Sequence, residues 1–186
     1  GGQLTCLSCP GGYYCTEGAT SGLPCPSGRY QNSELAVMTS VEDCLRCPEG
    51  HFCSTGAAEP TECSAGTIQP LEEQGSCTKC GAGTYQEETG QTVCVTCTVG
   101  GFCPEGVVAP TLCAAGSFSN SEGNTAQSDC EPCTTGHFCG VGATAPTACA
   151  TGTFSASTGA KSCTSCDAGT FQGGTGQTAC FTCSTG

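Results

Sequence analysis

This 186-residue chain predicts a small disulfide-rich fold, mostly irregular with short β-ladders. Three observations predict it. Cysteine fills 22 positions, well above the level that marks a disulfide scaffold. Large apolar residues are scarce: there is no Trp, one Met, and Cys and Ala supply much of the 37% hydrophobic fraction. The cysteines also recur in a fixed order, so the predicted architecture is an elongated, ladder-like repeat array with no central hydrophobic core. A chain this poor in large side chains buries too little surface to offset its ordering entropy, and cross-links must supply what a core would. Disulfides at this density persist in oxidising surroundings, which points to an extracellular or cell-surface location.

The repeat is read from spacing. From Cys6 the steps between cysteines are 3, 6, 10, 19, then 3, 6, 10, 14, then 3, 14. At Cys94 the series restarts as 3, 6, 10, 17, then 3, 6, 10, 14, then 3, 14. The modules therefore run long, long, short, twice over. Residues 6–93 form the first superrepeat and 94–179 the second, with residues 180–186 opening a further long module. Residues 1–5 match the tails of the two short modules, Gly90 to Val93 and Gly176 to Ala179, and read as the end of a third. Neither end resembles a cap, so the native polypeptide is expected to continue in both directions.

A finer register lies beneath. One large apolar residue follows a glycine at Tyr14, Tyr30, Phe52, Ile68, Tyr85, Phe102, Phe118, Phe138, Phe154 and Phe171. Most steps are 16 or 17 residues, and the two longer ones coincide with inserts at 31–43 and 119–129. Each ring is expected to pack on its own disulfide and on the next rung. Gly and Pro punctuate every module and no 3.6-residue apolar period persists, so short ladders are expected around the Gly-Thr-Tyr/Phe segments, with turns elsewhere. The insert from Ser33 to Asp43 is the one place expected to form a helical turn, with Ser33 as its N-cap.

Counting does not give the disulfide connectivity, but repetition restricts it. If modules are interchangeable, each closes its own bonds. Bonding within a C-x2-C step strains the geometry and leaves the long loop open. The sequential scheme then pairs Cys25–Cys44, Cys63–Cys77, Cys80–Cys94, Cys113–Cys130, Cys149–Cys163 and Cys166–Cys180 across the longer gaps. It pairs Cys9–Cys15, Cys47–Cys53, Cys97–Cys103 and Cys133–Cys139 across five residues. Cys6 and Cys183 are left over, to be paired outside this window. A crossed scheme, such as Cys47–Cys63 with Cys53–Cys77, also closes within a module and stays open.

Charge narrows the function. The formal net charge is −12, with Arg29, Arg46, Lys79 and Lys161 the only bases besides two histidines. No cationic patch for nucleic acid or for an anionic membrane surface can be built from these. No run of 18 apolar residues exists, so no membrane insertion is expected within this segment. Cys77-x2-Cys80-x13-Cys94-x2-Cys97 has zinc-ribbon spacing, but the same step recurs through an array whose cysteines otherwise pair. Redox C-x-x-C chemistry wants a βαβ context that the sequence lacks. His51 and His137 occupy positions where sister modules carry Tyr13 and Gly101, which suits a surface residue better than a general base. No nucleophile elbow, phosphate loop, paired carboxylates or calcium loop stands out. No catalytic, metal or cofactor site is expected, and the chain is not read as an enzyme.

Sugar attachment is the more promising chemistry. Asn32, Asn120 and Asn124 all fail the N-linked sequon. Pro-Thr recurs at Pro60-Thr61, Pro110-Thr111 and Pro146-Thr147, each threonine two residues before a cysteine. These are either simple rigid turns or exposed modification sites, carrying O-linked glycans at Thr61, Thr111 and Thr147 or a modified proline.

Cys47-Pro-Glu-Gly-His-Phe-Cys53 and Cys80-Gly-Ala-Gly-Thr-Tyr85 resemble the ephrin-receptor-like cysteine-rich repeat. They are also similar to the opening of tumour-necrosis-factor-receptor and growth-factor-receptor cysteine-rich modules. The resemblance covers essentially the whole chain and implies elongated, extracellular, ladder-like domains. It is specific for architecture and weak for activity. The even register departs from typical receptors, whose modules diverge. The expected function is a structural segment of a long secreted repeat protein that forms an extracellular rod, fibre or cell-surface filament. Its expected partners are neighbouring copies of the same chain. The alternative is a ligand-binding or adhesion ectodomain of a cell-surface receptor, with inserts 31–43 and 119–129 as contact loops.

Overall fold

The computed structural model describes residues 9–184. Regular structure within them consists of ten two-stranded antiparallel ladders and two single turns of 3-10 helix. Every strand is two residues long and pairs with its neighbour in sequence. The ladders are Tyr13–Tyr14 with Leu23–Pro24, Arg29–Tyr30 with Leu45–Arg46, His51–Phe52 with Thr61–Glu62, and Thr67–Ile68 with Thr78–Lys79. They continue as Thr84–Tyr85 with Val95–Thr96, Gly101–Phe102 with Thr111–Leu112, and Ser117–Phe118 with Glu131–Pro132. The last are His137–Phe138 with Thr147–Ala148, Thr153–Phe154 with Thr164–Ser165, and Thr170–Phe171 with Phe181–Thr182. The predicted short ladders around the Gly-Thr-Tyr/Phe segments are these.

Gly50 shows why the chain turns where it does. The His51 N–H donates to the Pro48 carbonyl at 3.2 Å, closing a tight turn, and Gly50 adopts a φ of 72° within it. Only a residue without a side chain takes that backbone conformation at no steric cost. The turn aims both backbone groups of Gly50 at partners. Its carbonyl accepts from the Cys63 N–H at 2.9 Å, and its N–H donates to the Gln69 carbonyl of the following ladder at 2.8 Å.

That arrangement repeats in each of two compact units. One runs to Cys80 and takes in Gln86–Cys94; the other comprises Gly81–Tyr85 and continues from Val95. In the first unit, Gly28, Gly50 and Gly66 donate to the carbonyls of Cys53, Gln69 and Gln86, one ladder further on. A second set reaches two ladders on: Gly56, Glu73 and Gly90 donate to Cys25, Cys47 and Cys63. In the second unit, Gly83, Gly100, Gly116, Gly136 and Gly152 donate to Cys103, Ser119, Cys139, Ser155 and Gln172. Gly123, Gly142, Gly159 and Gly176 there reach back to Cys97, Cys113, Cys133 and Cys149. All these bonds measure between 2.7 and 2.9 Å. They saturate backbone groups that a two-residue ladder leaves unpaired, which is how so little regular structure stays ordered.

Burial follows the sulfur. Apart from Met38 and Phe118, every buried apolar side chain among the described residues is a half-cystine. Tyr14 packs on the Cys25–Cys44 bond together with Met38, and Phe118 packs against Cys133, Cys139 and Ala143. Both rings thus sit against the disulfide that follows their own in sequence. Parallel bridges Tyr30↔Ala57 and Phe118↔Ala143 join successive ladders at the two modules that carry inserts.

The helical turns depart from expectation. Ser33 starts no helix; the turn lies at Val41–Asp43, and a matching one at Gln127–Asp129 occupies the other insert. The physical reason is Asp43, whose Oδ2 accepts the Thr39 N–H at 2.7 Å and the Ser40 N–H at 3.0 Å. A carboxylate reaching back fixes the entry to the turn more firmly than an upstream serine does.

Candidate functional site

The chemistry of this chain is spread along it as cross-links. The ten disulfides are Cys9–Cys15, Cys25–Cys44, Cys47–Cys53, Cys63–Cys77, Cys80–Cys94, Cys97–Cys103, Cys113–Cys130, Cys133–Cys139, Cys149–Cys163 and Cys166–Cys180. Their Cα separations of 5.7–6.0 Å sit at the usual value for a bridge. This is the sequential arrangement; the sulfurs of Cys47 and Cys53 bond each other rather than crossing to Cys63 and Cys77. Among the described residues Cys183 is exposed and has no disulfide partner, and Cys6 lies outside the described residues.

A polar layer that sequence reasoning missed lies beside the bridges. Gln69, Gln86 and Gln172 are buried, each directly after the register residue. Gln86 donates from Nε2 to the Val93 carbonyl at 2.8 Å and accepts the Glu88 N–H on Oε1 at 3.0 Å. Gln69 and Gln172 repeat this with the carbonyls of Ser76 and Ala179 and the N–H groups of Leu71 and Gly174. Ser119 and Ser155 fill the same place, donating to the carbonyls of Ser121 and Ser157. Each side chain holds its loop closed from inside, where an unpaired amide would be costly. The signal was present: the residue after the register position is always Cys, Gln or Ser.

Charge is organised at one point. Glu73 adopts a φ of 60° where most equivalent loops carry glycine. Its carboxylate accepts from Arg29 Nε at 2.6 Å and lies 3.7 Å from Arg46 Nε, gathering two of the four strong bases. In the inserts, backbone N–H donors, led by those of Thr39 and Ser40, lower the Asp43 pKa below its ordinary 3.8. The Thr125 N–H, its hydroxyl and the Ala126 N–H do the same for Asp129.

The remaining candidates are placed plainly. Thr61, Thr111 and Thr147 are exposed, each opposite a phenylalanine across its ladder: Phe52, Phe102 and Phe138. His51 and His137 bring Nδ1 within 2.9 and 3.0 Å of the Glu49 and Thr135 carbonyls, and His137 Nδ1 also lies 3.3 Å from the exposed Thr134 hydroxyl; all are contacts within three residues. Among the described residues no group of three His, Cys, Asp or Glu side chains is arranged to hold a metal ion, and no helix is long and apolar enough to cross a membrane. Insert 31–43 tucks Met38 inward and leaves Leu35 and Val37 exposed. Insert 119–129 is tied back through Asn124, whose Nδ2 donates to the Gly101 carbonyl at 3.2 Å.

A family model, tyrosine-protein kinase ephrin type A/B receptor-like, matches residues 66–109 and 152–186. Those two stretches are similar to ephrin-receptor-like cysteine-rich repeats. The matched stretches include Cys80–Cys94, Cys97–Cys103 and Cys166–Cys180, with the turn glycines Gly66, Gly83, Gly100, Gly152 and Gly169 that place them. Comparison with curated proteins gave no match. Ephrin-receptor-like repeats are non-catalytic modules of extracellular type, which accords with the oxidising compartment that this many disulfides require.

Proposed function

We propose that this chain is a structural segment of a long secreted repeat protein that builds an extracellular rod, fibre or cell-surface filament with neighbouring copies of itself. The observation that supports the reading is the repetition of two backbone hydrogen bonds, one to the next ladder and one to the ladder after it, in both units. Backbone contacts of this kind do not depend on the side chains around them, so modules can be added in series without redesign. Binding sites work the other way, by making one place unlike the rest. The acidic exterior keeps such a chain from clumping with unrelated proteins. An adhesion or ligand-binding ectodomain is the second reading, favoured by exposed Leu35 and Val37 on the first insert.

Electron microscopy of the secreted full-length protein, with sedimentation of the same sample, tests the proposal. Filaments whose axial period is a multiple of the ladder spacing are the expected result. Discrete particles that capture a partner, and lose it on Leu35→Ser with Val37→Ser, would overturn the structural reading in favour of the ectodomain.

A further inference from the structure

We propose that Thr61, Thr111 and Thr147 carry O-linked glycans, and that the first sugar of each lies over the phenylalanine opposite. The inference uses the extracellular character of the repeats and is independent of whether the protein forms filaments.

Accessibility comes first. Many hydroxyls here are occupied: those of Thr67, Thr84, Thr153 and Thr170 donate to the carbonyl three residues back, and those of Thr39 and Thr125 to Asp43 and Asp129. Among the described residues no hydrogen bond engages the hydroxyls of Thr61, Thr111 or Thr147, and all three residues are exposed. Each follows a proline, which fixes its own φ and holds the residue before it extended, so a transferase meets a preformed extended acceptor. Pro26-Ser27 shows the contrast, because Pro26 accepts the Arg29 N–H and closes a turn instead. Proline beside threonine in an extracellular stalk is also the composition that carries O-linked sugar.

The ring opposite supplies the second half. Residues directly opposed across an antiparallel pair share one face, about 5 Å apart at Cβ. Thr61, Thr111 and Thr147 oppose Phe52, Phe102 and Phe138, all only half-buried. At Tyr14, Tyr30 and Tyr85 the opposing residue is Leu23, Leu45 or Val95, an aliphatic cover for the ring. A sugar on threonine extends the same cover, setting its apolar C–H face on the exposed part of the phenylalanine. The transfer needs a nucleotide-activated sugar from the secretory route. Threonine Oγ1 forms the bond to the anomeric carbon, the bond to the nucleotide diphosphate breaks and that group leaves, and the hydroxyl proton passes to the transferase base.

The experiment is intact-mass measurement and glycopeptide mapping of the chain secreted from eukaryotic cells, beside Thr61→Val, Thr111→Val and Thr147→Val singly and together. The expected result is a mass above that of the bare disulfide-bonded chain, falling by one glycan with each substitution. A bare mass, or an excess unchanged in the triple variant, overturns the assignment; unaltered disulfide maps show that each variant folded. Proton NMR tests the stacking. The Thr111 sugar is expected to show upfield-shifted C–H protons that return to ordinary positions in Phe102→Leu, a change the ladder accommodates because Ile68 already fills that register. Sugar shifts identical in the two proteins overturn the ring contact.

Discussion

Single residues decide how closely one ladder can approach another. A Cβ on Gly136 would overlap the Gly176 carbonyl oxygen, whereas one on Gly152 would meet nothing within 4 Å. Both have φ near 75°, at 75° and 77°. Gly152→Ala therefore costs only the left-handed backbone term, about 1–2 kcal/mol. Gly136→Ala costs that and also pushes apart two backbone segments, so its urea midpoint should fall markedly further; equal shifts would refute the close-approach argument. Glu73 is the mirror case, a side chain where glycine is the rule. Glu73→Gln keeps the strained backbone and gives up the charge, so a loss of up to about 1 kcal/mol is expected, modest because the carboxylate is half-exposed and solvent screens the pair. Glu73→Gly surrenders the same pairing but relieves the backbone, and should denature close to wild type.

Within an element, buried polar side chains and reaching carboxylates hold loops that have no helix or sheet to rely on. Gln86→Ala strands the Val93 carbonyl and the Glu88 N–H, at about 1–3 kcal/mol, and amide exchange at Glu88 should accelerate. The Asp43 and Asp129 pKa values are depressed in the folded chain, so the stability they add is present above about 3.8 and is lost as pH falls through the lower folded value. Carboxyl NMR titration should place both below 3.8, and Asp129→Asn should differ from wild type at neutral pH, a difference that shrinks as pH falls through the lowered folded value. What was legible at this scale follows from what repetition records. Cysteine spacing and the glycine before each register residue are covalent or steric demands, and they stand out in every module. The turn at Val41–Asp43 was misplaced because Ser33 matches a local capping preference, while the decisive Asp43 is visible only when Thr39 to Cys44 is aligned with Thr125 to Cys130. Gln86 escaped notice because a polar residue carries no apolar period, although its recurrence at Gln69 and Gln172 was there to be read.

At the scale of the whole molecule, the disulfides replace a core and thereby change how the protein comes apart. Loops closed by bonds of sequence separation 6 to 19 each constrain the unfolded chain by roughly 2–3 kcal/mol. Complete reduction should therefore abolish the fold, with collapse of amide dispersion throughout; a reduced sample that kept its native spectrum would remove the basis of this account. Partial removal is more telling. A chain with one continuous core loses everything together, but modules that touch only near neighbours fail locally. Cys133→Ser with Cys139→Ser opens one bond whose residues take the backbone bonds Gly116 to Cys139, Cys133 to Gly116, and Gly159 to Cys133. Phe118 also packs against both Cys133 and Cys139. Amide exchange in that variant should quicken at Gly116, Cys133 and Gly159, yet leave Gly152 and Cys166, which bond to Gln172 and Gly152, near their native protection. Uniform loss of protection across the chain would mean that the ladders cooperate over a longer range than their hydrogen bonds reach, and the case for freely extendable modules would fall with it.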